Sequence, residues 1–283
     1  MPATVQTLLT QARQQLAATS ESPRLDAEVL LCHVLNAGRA YLYANPDQEM
    51  DARQIAAYTD LIARRCRDQP VAHLTGAREF WSLSLRVTPD VLVPRPETEL
   101  LVEQALRHIP TGEACDVLDL GCGSGAIVIA IATERPAARL IAVDSSAAAL
   151  QVARDNAAAH NCGRIRFREG SWFAPVGEQR FNVIVSNPPY VATGQPQLTD
   201  PELAHEPPQA LYSGVDGLDD IRRIIKGAPT HLQPGGRLLL EHGFDQAGKI
   251  AELLERAGFT AIHTHADIAG HPRVTEGRLG AQE

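Results

Sequence analysis

Asn187, Pro188, Pro189 and Tyr190 follow the apolar, β-branched run Val183-Ile184-Val185 and could together hold a planar NH₂ group. Pro188 keeps Asn187 out of the helical region, and each proline fixes its own φ, so the turn is stiff. Two successive residues without an N–H leave a local surface rich in acceptors. The Asn187 carboxamide oxygen and a backbone carbonyl can face one NH₂ together, and Tyr190 adds a flat face for stacking. Adenine, cytosine, guanine and a carboxamide all carry such a group. Its nitrogen is a poor nucleophile because the lone pair is delocalised. Accepting both hydrogens returns electron density to nitrogen, so the turn would act by orientation and electrostatics rather than by a strong base. An ordinary proline-rich turn is the plainer alternative.

A second set of residues could hold a nucleoside. Gly121, Cys122, Gly123, Ser124 and Gly125 lie between the apolar strand candidate CDVLDL and an apolar helix. There the backbone can approach a ligand closely at the carboxyl edge of a sheet. Asp144 ends the next strand candidate, about 20 residues downstream, where an acid can hold ribose hydroxyls. The spacing is G-x-G-x-G, not the G-x-G-x-x-G of dinucleotide binders, and Asp119 stands two residues before the first glycine. Together these features look like the nucleoside-binding edge of S-adenosylmethionine-dependent methyltransferases. A tight strand–helix turn capped by Asp144 would be the purely structural reading.

These residues need elements to position them. Residues 1–75 read as a small helical bundle, with helical spacing in TVQTLLTQARQQL, SPRLDAEVLLCHVL and DARQIAAYTDLIARRCRD. Ser22-Pro23 marks a helix start, with a cap before a first-turn proline. Arg64, Arg65 and Arg67 could touch a partner, but a charge run on a helix is usually a solvated face. Residues 76–94 alternate apolar and polar and read as a β-hairpin linker. From 95 to 283 strands and helices alternate, with strand candidates CDVLDL, RLIAVD, RIRFRE, FNVIVS, GRLLLEHG, TAIHTHAD and RVTEGRLG. That rhythm argues an α/β domain with a mostly parallel sheet. No helix separates the last two strands, so one should pair antiparallel at the end of the sheet. The turn bearing Asn187 follows the fourth strand of this domain and so shares the crevice with the glycine loop.

Composition narrows the classes. The 283 residues are 44% hydrophobic, enough to bury a real core. The formal net charge of −8 disfavours nucleic acid as the main partner, because such binding rests on neutralising phosphates. The first residues lack a signal-peptide pattern, and no apolar run approaches membrane-spanning length. Five cysteines without a C-x-x-C pair read as reduced cytoplasmic thiols, not as a disulfide frame or zinc site.

With these residues in view, the sequence closely resembles the protein-(glutamine-N5) methyltransferases that modify peptide chain release factors, the PrmC/HemK family. The resemblance covers nearly the whole chain. It includes ESPRLDAEVLL, PVAHLTGAREFWSLSLRVTP, VLVPRPETELLVEQAL, DLGCGSGAI, VSNPPYV, EPPQAL with GLDDIRRII, GGRLLLEHG and DIAGHPRVTEGR. NPPY alone is shared with amino-methyltransferases of DNA and RNA, whereas PRPETE and EFWSL are more specific to this family. The resemblance implies a Rossmann-like class I methyltransferase domain, mostly parallel with one antiparallel strand, preceded by a helical domain that docks the substrate. It implies S-adenosyl-L-methionine as cofactor, with Gly121 to Gly125 around its methionine part, Asp144 at its ribose and Trp172 at its adenine. Asn187, Pro188, Pro189 and Tyr190 would hold the glutamine of a Gly-Gly-Gln loop on the release factor, and Asn187 would also border the cofactor. Asn187, Pro188 and Tyr190 would be the catalytic set. The expected enzyme is a cytoplasmic monomer with a protein substrate, no nucleic acid and no membrane. Two departures stand out: Ser171, where relatives often carry Asp, and His205, where an aromatic is common.

Weaker signals carry structural readings beside functional ones. His263 and His265 share one strand face, but one H-x-H without an acid or Cys partner is usually incidental, so no metal is expected. Glu241 and His242 close a strand at the active edge. Glu97 and Glu99 order a loop over the cofactor or begin a helix. The rival functions are an adenine-N6 DNA methyltransferase, which would want a basic, aromatic-studded groove, and a non-catalytic cofactor-binding adaptor.

Overall fold

The computed structural model describes residues 3–194 and 201–280. They form two compact units, residues 3–77 with 201–205, and residues 78–194 with 206–280.

The first unit is helical: α1 (Val5–Leu16), α2 (Pro23–Leu35), α3 (Arg39–Ala44), α4 (Ala52–Arg65) and α5 (Val71–Thr75). Capping boxes start α1 and α4. The Thr4 hydroxyl accepts from the Thr7 N–H, and the Asp51 carboxylate accepts from the Gln54 N–H at 2.8 Å. At α2 the proline sits in the first turn as expected, but Ser22 makes no cap; its hydroxyl donates instead to Asp26 at 3.0 Å. Leu16, Leu30, Leu31 and Tyr58 fill the core, and the Tyr58 hydroxyl donates to the Ala27 carbonyl at 3.0 Å. The expectation of a solvated arginine face fails at Arg65. Only 5% exposed, it meets Asp26 and Glu202, each at 2.7 Å, because Asp26 is carried into the same interior by α2.

A hairpin comes next, β1 (Ala77–Phe80) and β2 (Leu83–Arg86), which from Arg78 onward belongs to the second unit and is turned by Trp81 and Ser82, both at positive φ. Then follow α6 (Glu99–Leu106), β3 (Asp116–Leu120), α7 (Ala126–Glu134), β4 (Arg139–Asp144), α8 (Ala147–Ala159), β5 (Arg166–Glu169), β6 (Phe181–Ser186), α9 (Asp219–His231), β7 (Leu232–Glu241), α10 (Ala247–Arg256), β8 (Phe259–Ala266) and β9 (Pro272–Leu279). The seven-stranded sheet runs β5-β4-β3-β6-β7-β9-β8. The five strands from β5 to β7 are mutually parallel, and β9 is antiparallel to both its neighbours. The antiparallel strand is thus not the outermost one: the last strand of the chain inserts between β7 and β8.

Alternation along the central strands feeds two cores. Val117, Val183 and Val185 face one side with α6, α7 and α8; Leu118, Leu120 and Ile184 face the other with α9 and α10. Every residue of α7 from Ala126 to Ala132 is buried. By contrast α9 buries only Ile221, Ile224, Ile225 and Ala228, a single stripe at helical spacing. Strands are added to one side of β3 as β4 and β5 and then to the other as β6 and β7, and ligands of such sheets bind at the carboxyl ends beside that switch. Among the described residues, no helix is long and apolar enough to cross a membrane.

Candidate active site

One cavity of about 380 Å³ lies at the carboxyl ends of β3, β4, β5 and β6. The glycine loop, Asp144, Trp172 and Asn187 all line it, although they come from four separate strand ends.

The loop turns sharply after β3. The N–H groups of Gly121 and Cys122 both donate to the Val143 carbonyl, at 2.8 and 3.0 Å. Gly123, at φ +52, has open space where a side chain would begin, so bare backbone faces the cavity. Gly125, at φ +82, has a different task. A Cβ there would lie 3.0 Å from Ile129 and 3.2 Å from Ala153, so this glycine permits the close packing of α7 on α8. It does not line the cavity; Cys122 and Ser124 do. The Ser124 carbonyl accepts from the buried Asn156 amide at 2.9 Å, and Asn156 also bonds the Arg86 backbone, which ties the loop to the hairpin.

Asp144 spans the loop and the start of α8. One carboxylate oxygen accepts from the Gly123 N–H at 2.8 Å, the other from the Ser146 N–H at 2.9 Å. Each oxygen keeps a lone pair for a ligand on the cavity side. Behind the loop, Asp119 is fully buried, and among the described residues neither of its oxygens closes a hydrogen bond of ordinary geometry. Burial and the nearby Asp144 charge push its carboxyl up to about 7, against a weak pull from the Val128 N–H. The Cys122 thiol, also buried, is pushed well up and is not a thiolate nucleophile.

Trp172 sits at φ +47, a conformation that a bulky side chain adopts only when its surroundings hold it. Its ring lies 3.6 Å from the position a Gly121 Cβ would take, so ring and glycine backbone face each other. Ser171 beside it also lines the cavity.

Past β6 the four residues of the clamp separate. Asn187 and Pro189 line the cavity; Pro188 and Tyr190 do not. Pro188 is buried, and Tyr190 packs on the core shared with α9 and α10. The Tyr190 hydroxyl is held neutral, its pKa raised by burial and then by the neighbouring Glu241 charge. Its carbonyl accepts from the Gln246 amide at 2.9 Å, and a Cβ on Gly217 would come within 2.3 Å of that carbonyl. The turn is therefore pinned by two residues that no spacing in the sequence points to. The Asn187 amide nitrogen donates to the Thr98 hydroxyl at 3.2 Å.

The segment PRPETE supplies a wall. Arg95 lines the cavity and pairs at 2.5 Å with the buried Glu206, so two motifs 111 residues apart meet there. Glu99 opens α6 and accepts from the Trp81 N–H at 2.8 Å, a structural task. His242 is buried between the Gly243 carbonyl and Thr275, each at 2.8 Å. Its Nδ1 must donate to that carbonyl, so Nε2 accepts from the hydroxyl. His265 meets Glu276 at 3.1 Å beside His108 at 2.7 Å, and His205 bonds the Arg67 carbonyl at 2.9 Å.

Residues 7–76 match the PrmC N-terminal domain, and residues 96–246 match the methyltransferase small domain. The chain is 48% identical over 262 residues to the release factor glutamine methyltransferase of Xylella fastidiosa (strain Temecula1 / ATCC 700964), covering 93% of this chain and 95% of that one. It is likewise 48% identical over 271 residues to the release factor glutamine methyltransferase of Burkholderia pseudomallei (strain K96243), covering 94% and 95%. A methyltransferase from Pyrococcus furiosus of known structure shares the fold, with a TM-score of 0.55 and 19% identity over 78% of this chain and 99% of that one. Identity at this level across both units, on a sheet whose carboxyl edge carries the glycine loop and the Asn-Pro-Pro-Tyr turn, places the chain in the release factor glutamine methyltransferase family.

Proposed function

We propose that this protein transfers a methyl group from S-adenosyl-L-methionine to the side-chain amide nitrogen, N5, of the glutamine in a release factor's Gly-Gly-Gln motif. One observation carries this reading: the bare backbone of the glycine loop and the Asn187 side chain line the same cavity. A nucleoside-binding edge and an amide-binding residue are thereby within reach of one another.

The residues present fit the cofactor. The open backbone at Gly123, the carboxylate of Asp144 and the ring of Trp172 offer contacts for a cationic nucleoside of this kind. Gly121 to Ser124 would hold its methionine part, Asp144 its ribose and Trp172 its adenine, with Gly125 shaping the loop by its packing. When bound, it supplies a methyl group activated on a sulfonium.

The chain's own part is to orient the acceptor nitrogen. The Asn187 carboxamide oxygen and a backbone carbonyl of the Pro188-Pro189 turn take the two amide hydrogens, which aims the nitrogen and raises its electron density. Pro189 walls the cavity while Pro188 and Tyr190 stiffen the turn from behind. Tyr190, held neutral, is no base. Two glycines beside the target glutamine let bare backbone enter a narrow crevice. The helical unit would dock the release factor. On this reading the enzyme works as a cytoplasmic monomer on a protein substrate, without nucleic acid.

The test is methyl transfer from labelled cofactor to purified release factor, with DNA as a parallel substrate. Label on the release factor alone is the expected result. Label on DNA alone, or on neither, would overturn the reading.

A further inference from the structure

Glu241 ends β7 and has no task in the mechanism above. Ser186 pairs with Leu240 in the parallel ladder of β6 and β7, so Asn187 and Glu241 are the next residues on adjacent strands. Glu241 is 1% exposed, and its Oε2 has no hydrogen-bond partner among the described residues. Thr98 is equally hidden at 4%. The Asn187 amide nitrogen donates to the Thr98 hydroxyl at 3.2 Å, and both groups are polar neighbours that favour the charged form of the Glu241 carboxylate. A buried carboxylate that does not line the cavity thus neighbours the residue that reads the substrate.

The polarity of this chain of groups decides what Asn187 can do. An ionised carboxylate only accepts, and a hydroxyl has one hydrogen. The Thr98 hydrogen therefore goes to Glu241, and the Thr98 oxygen must accept from the Asn187 NH₂. With the NH₂ committed to Thr98, the carboxamide oxygen is left free to receive a ligand in the cavity that Asn187 and Thr98 both line. With Glu241 protonated the chain can run backwards. Glu241 then donates to Thr98, Thr98 donates to the Asn187 oxygen, and the NH₂ group faces the cavity. That flip would set two donors against the NH₂ of a glutamine.

We propose that Glu241 is a positioning residue that, acting through Thr98, sets the flip of the Asn187 carboxamide so that its oxygen receives the substrate amide. The inference rests on the reading of Asn187 given above and deepens it. A second effect has the same sign. Donation to a carboxylate polarises the Asn187 amide and makes its oxygen a stronger acceptor.

The groups facing Glu241 place its titration in a useful range. Burial pushes its carboxyl up to about 7. The hydrogen bond from Thr98, the Arg273 guanidinium on β9 and the hydrogen bond from Asn187 favour the charged form, and Glu97 opposes it. Arg273 also pairs with Asp267 at 3.3 Å, and Tyr190 on the remaining side is neutral. Methyl transfer should therefore fall on the acid side of neutrality as Glu241 takes up a proton.

The test compares Glu241→Gln, Thr98→Val and Asn187→Ala, singly and combined, in the full-length enzyme acting on folded release factor. Glu241→Gln and Thr98→Val should each lower kcat about tenfold to a hundredfold, the scale on which groups that orient a binding residue act. Cofactor affinity by calorimetry should stay within about threefold, a change under roughly 0.7 kcal/mol. Thr98→Ser, which keeps the hydroxyl, should recover most of what Thr98→Val loses. The acid limb of the kcat profile that belongs to Glu241 should vanish in Glu241→Gln, and Glu241→Gln should add no loss on an Asn187→Ala background. A wild-type kcat and acid limb in Glu241→Gln, or a loss that adds fully onto Asn187→Ala, overturns the inference while leaving the amide-receiving role of Asn187 intact. An Asn187→Ala enzyme with undiminished rate overturns that role, and this inference with it.

Discussion

Replacing Asp144 by Ala should cost both stability and cofactor affinity, and the geometry separates the two. Asp144 accepts from the Gly123 N–H at 2.8 Å and from the Ser146 N–H at 2.9 Å. Hydrogen bonds to a charged group contribute about 1.5–3 kcal/mol each. Gly123 and Ser146 both line the cavity, so water can reach the released donors and the lower end applies. The expected loss is about 3 kcal/mol in all, a fall in Tm of about 6–12 °C for a chain of this size. If the same carboxylate also binds ribose, affinity should fall about tenfold to a hundredfold, the worth of one charge-assisted hydrogen bond. Calorimetric titration with cofactor, well below the lowered Tm, reads the second effect alone. Asp144→Asn keeps one acceptor and should lie between the variant and wild type in both measurements. A lowered Tm with unchanged affinity would make Asp144 a loop cap only. An unchanged Tm would refute the assignment of its two backbone bonds as stabilising.

Asn187→Ala should slow single-turnover methyl transfer at saturating cofactor by about 10²–10³, by analogy with removing one oxyanion-hole donor, while melting shows an intact fold; a well-folded variant above a third of the wild-type rate would mean another group holds the amide. For Asp119 the sign runs against the charged form. Its carboxyl is raised from 3.8 to about 7, so native stability falls as pH rises across that window. Asp119→Asn should therefore gain several degrees in Tm over wild type between pH 4 and pH 8, whereas a pH-independent difference would contradict the buried-charge account. Glu276 runs the other way: burial opposes its charge, but hydrogen bonds from His108 and His265, with Arg237, hold it down at about 2. The Tm margin of wild type over Glu276→Gln should be full at pH 6 and shrink below about 4, because Glu276 contributes above its ordinary pKa and loses that contribution as pH falls toward 2.

The chemistry-bearing segments were legible because they are local. A β-branched run followed by glycines or prolines fixes strand, turn and edge within ten residues, as DVLDLGCGSG and FNVIVSNPPY do. The short helices α3 and α5 were not legible, since five or six residues carry too little periodicity. Arg65 misled because a charge run is usually solvated, and nothing near it in sequence announces Asp26, 39 residues away. The pairing of Arg95 with Glu206, the pinning of Tyr190 by Gln246 and Gly217, and the Thr98–Asn187–Glu241 chain arise only from strand order and register. Glu241 reaches Asn187 because β7 is the parallel neighbour of β6. The clamp also divides in a way four adjacent letters cannot express. Only Asn187 and Pro189 line the cavity, while Pro188 and Tyr190 support them from the core side.

The central claim is that the site reads a carboxamide NH₂ through acceptors. It is tested most directly by single-turnover methylation of release factor carrying Gln or Glu in its Gly-Gly-Gln motif, with the modified residue located by mass spectrometry. A carboxylate brings only acceptors and a negative charge to a clamp made of acceptors. Sites built for a hydrogen-bonding group reject analogues lacking it by roughly 10⁴–10⁵, so methylation of the glutamine with no detectable product from the Glu form is the expected result. Methyl transfer to the Glu form within about tenfold of the Gln form, a difference of only about 1.4 kcal/mol, would contradict an acceptor clamp.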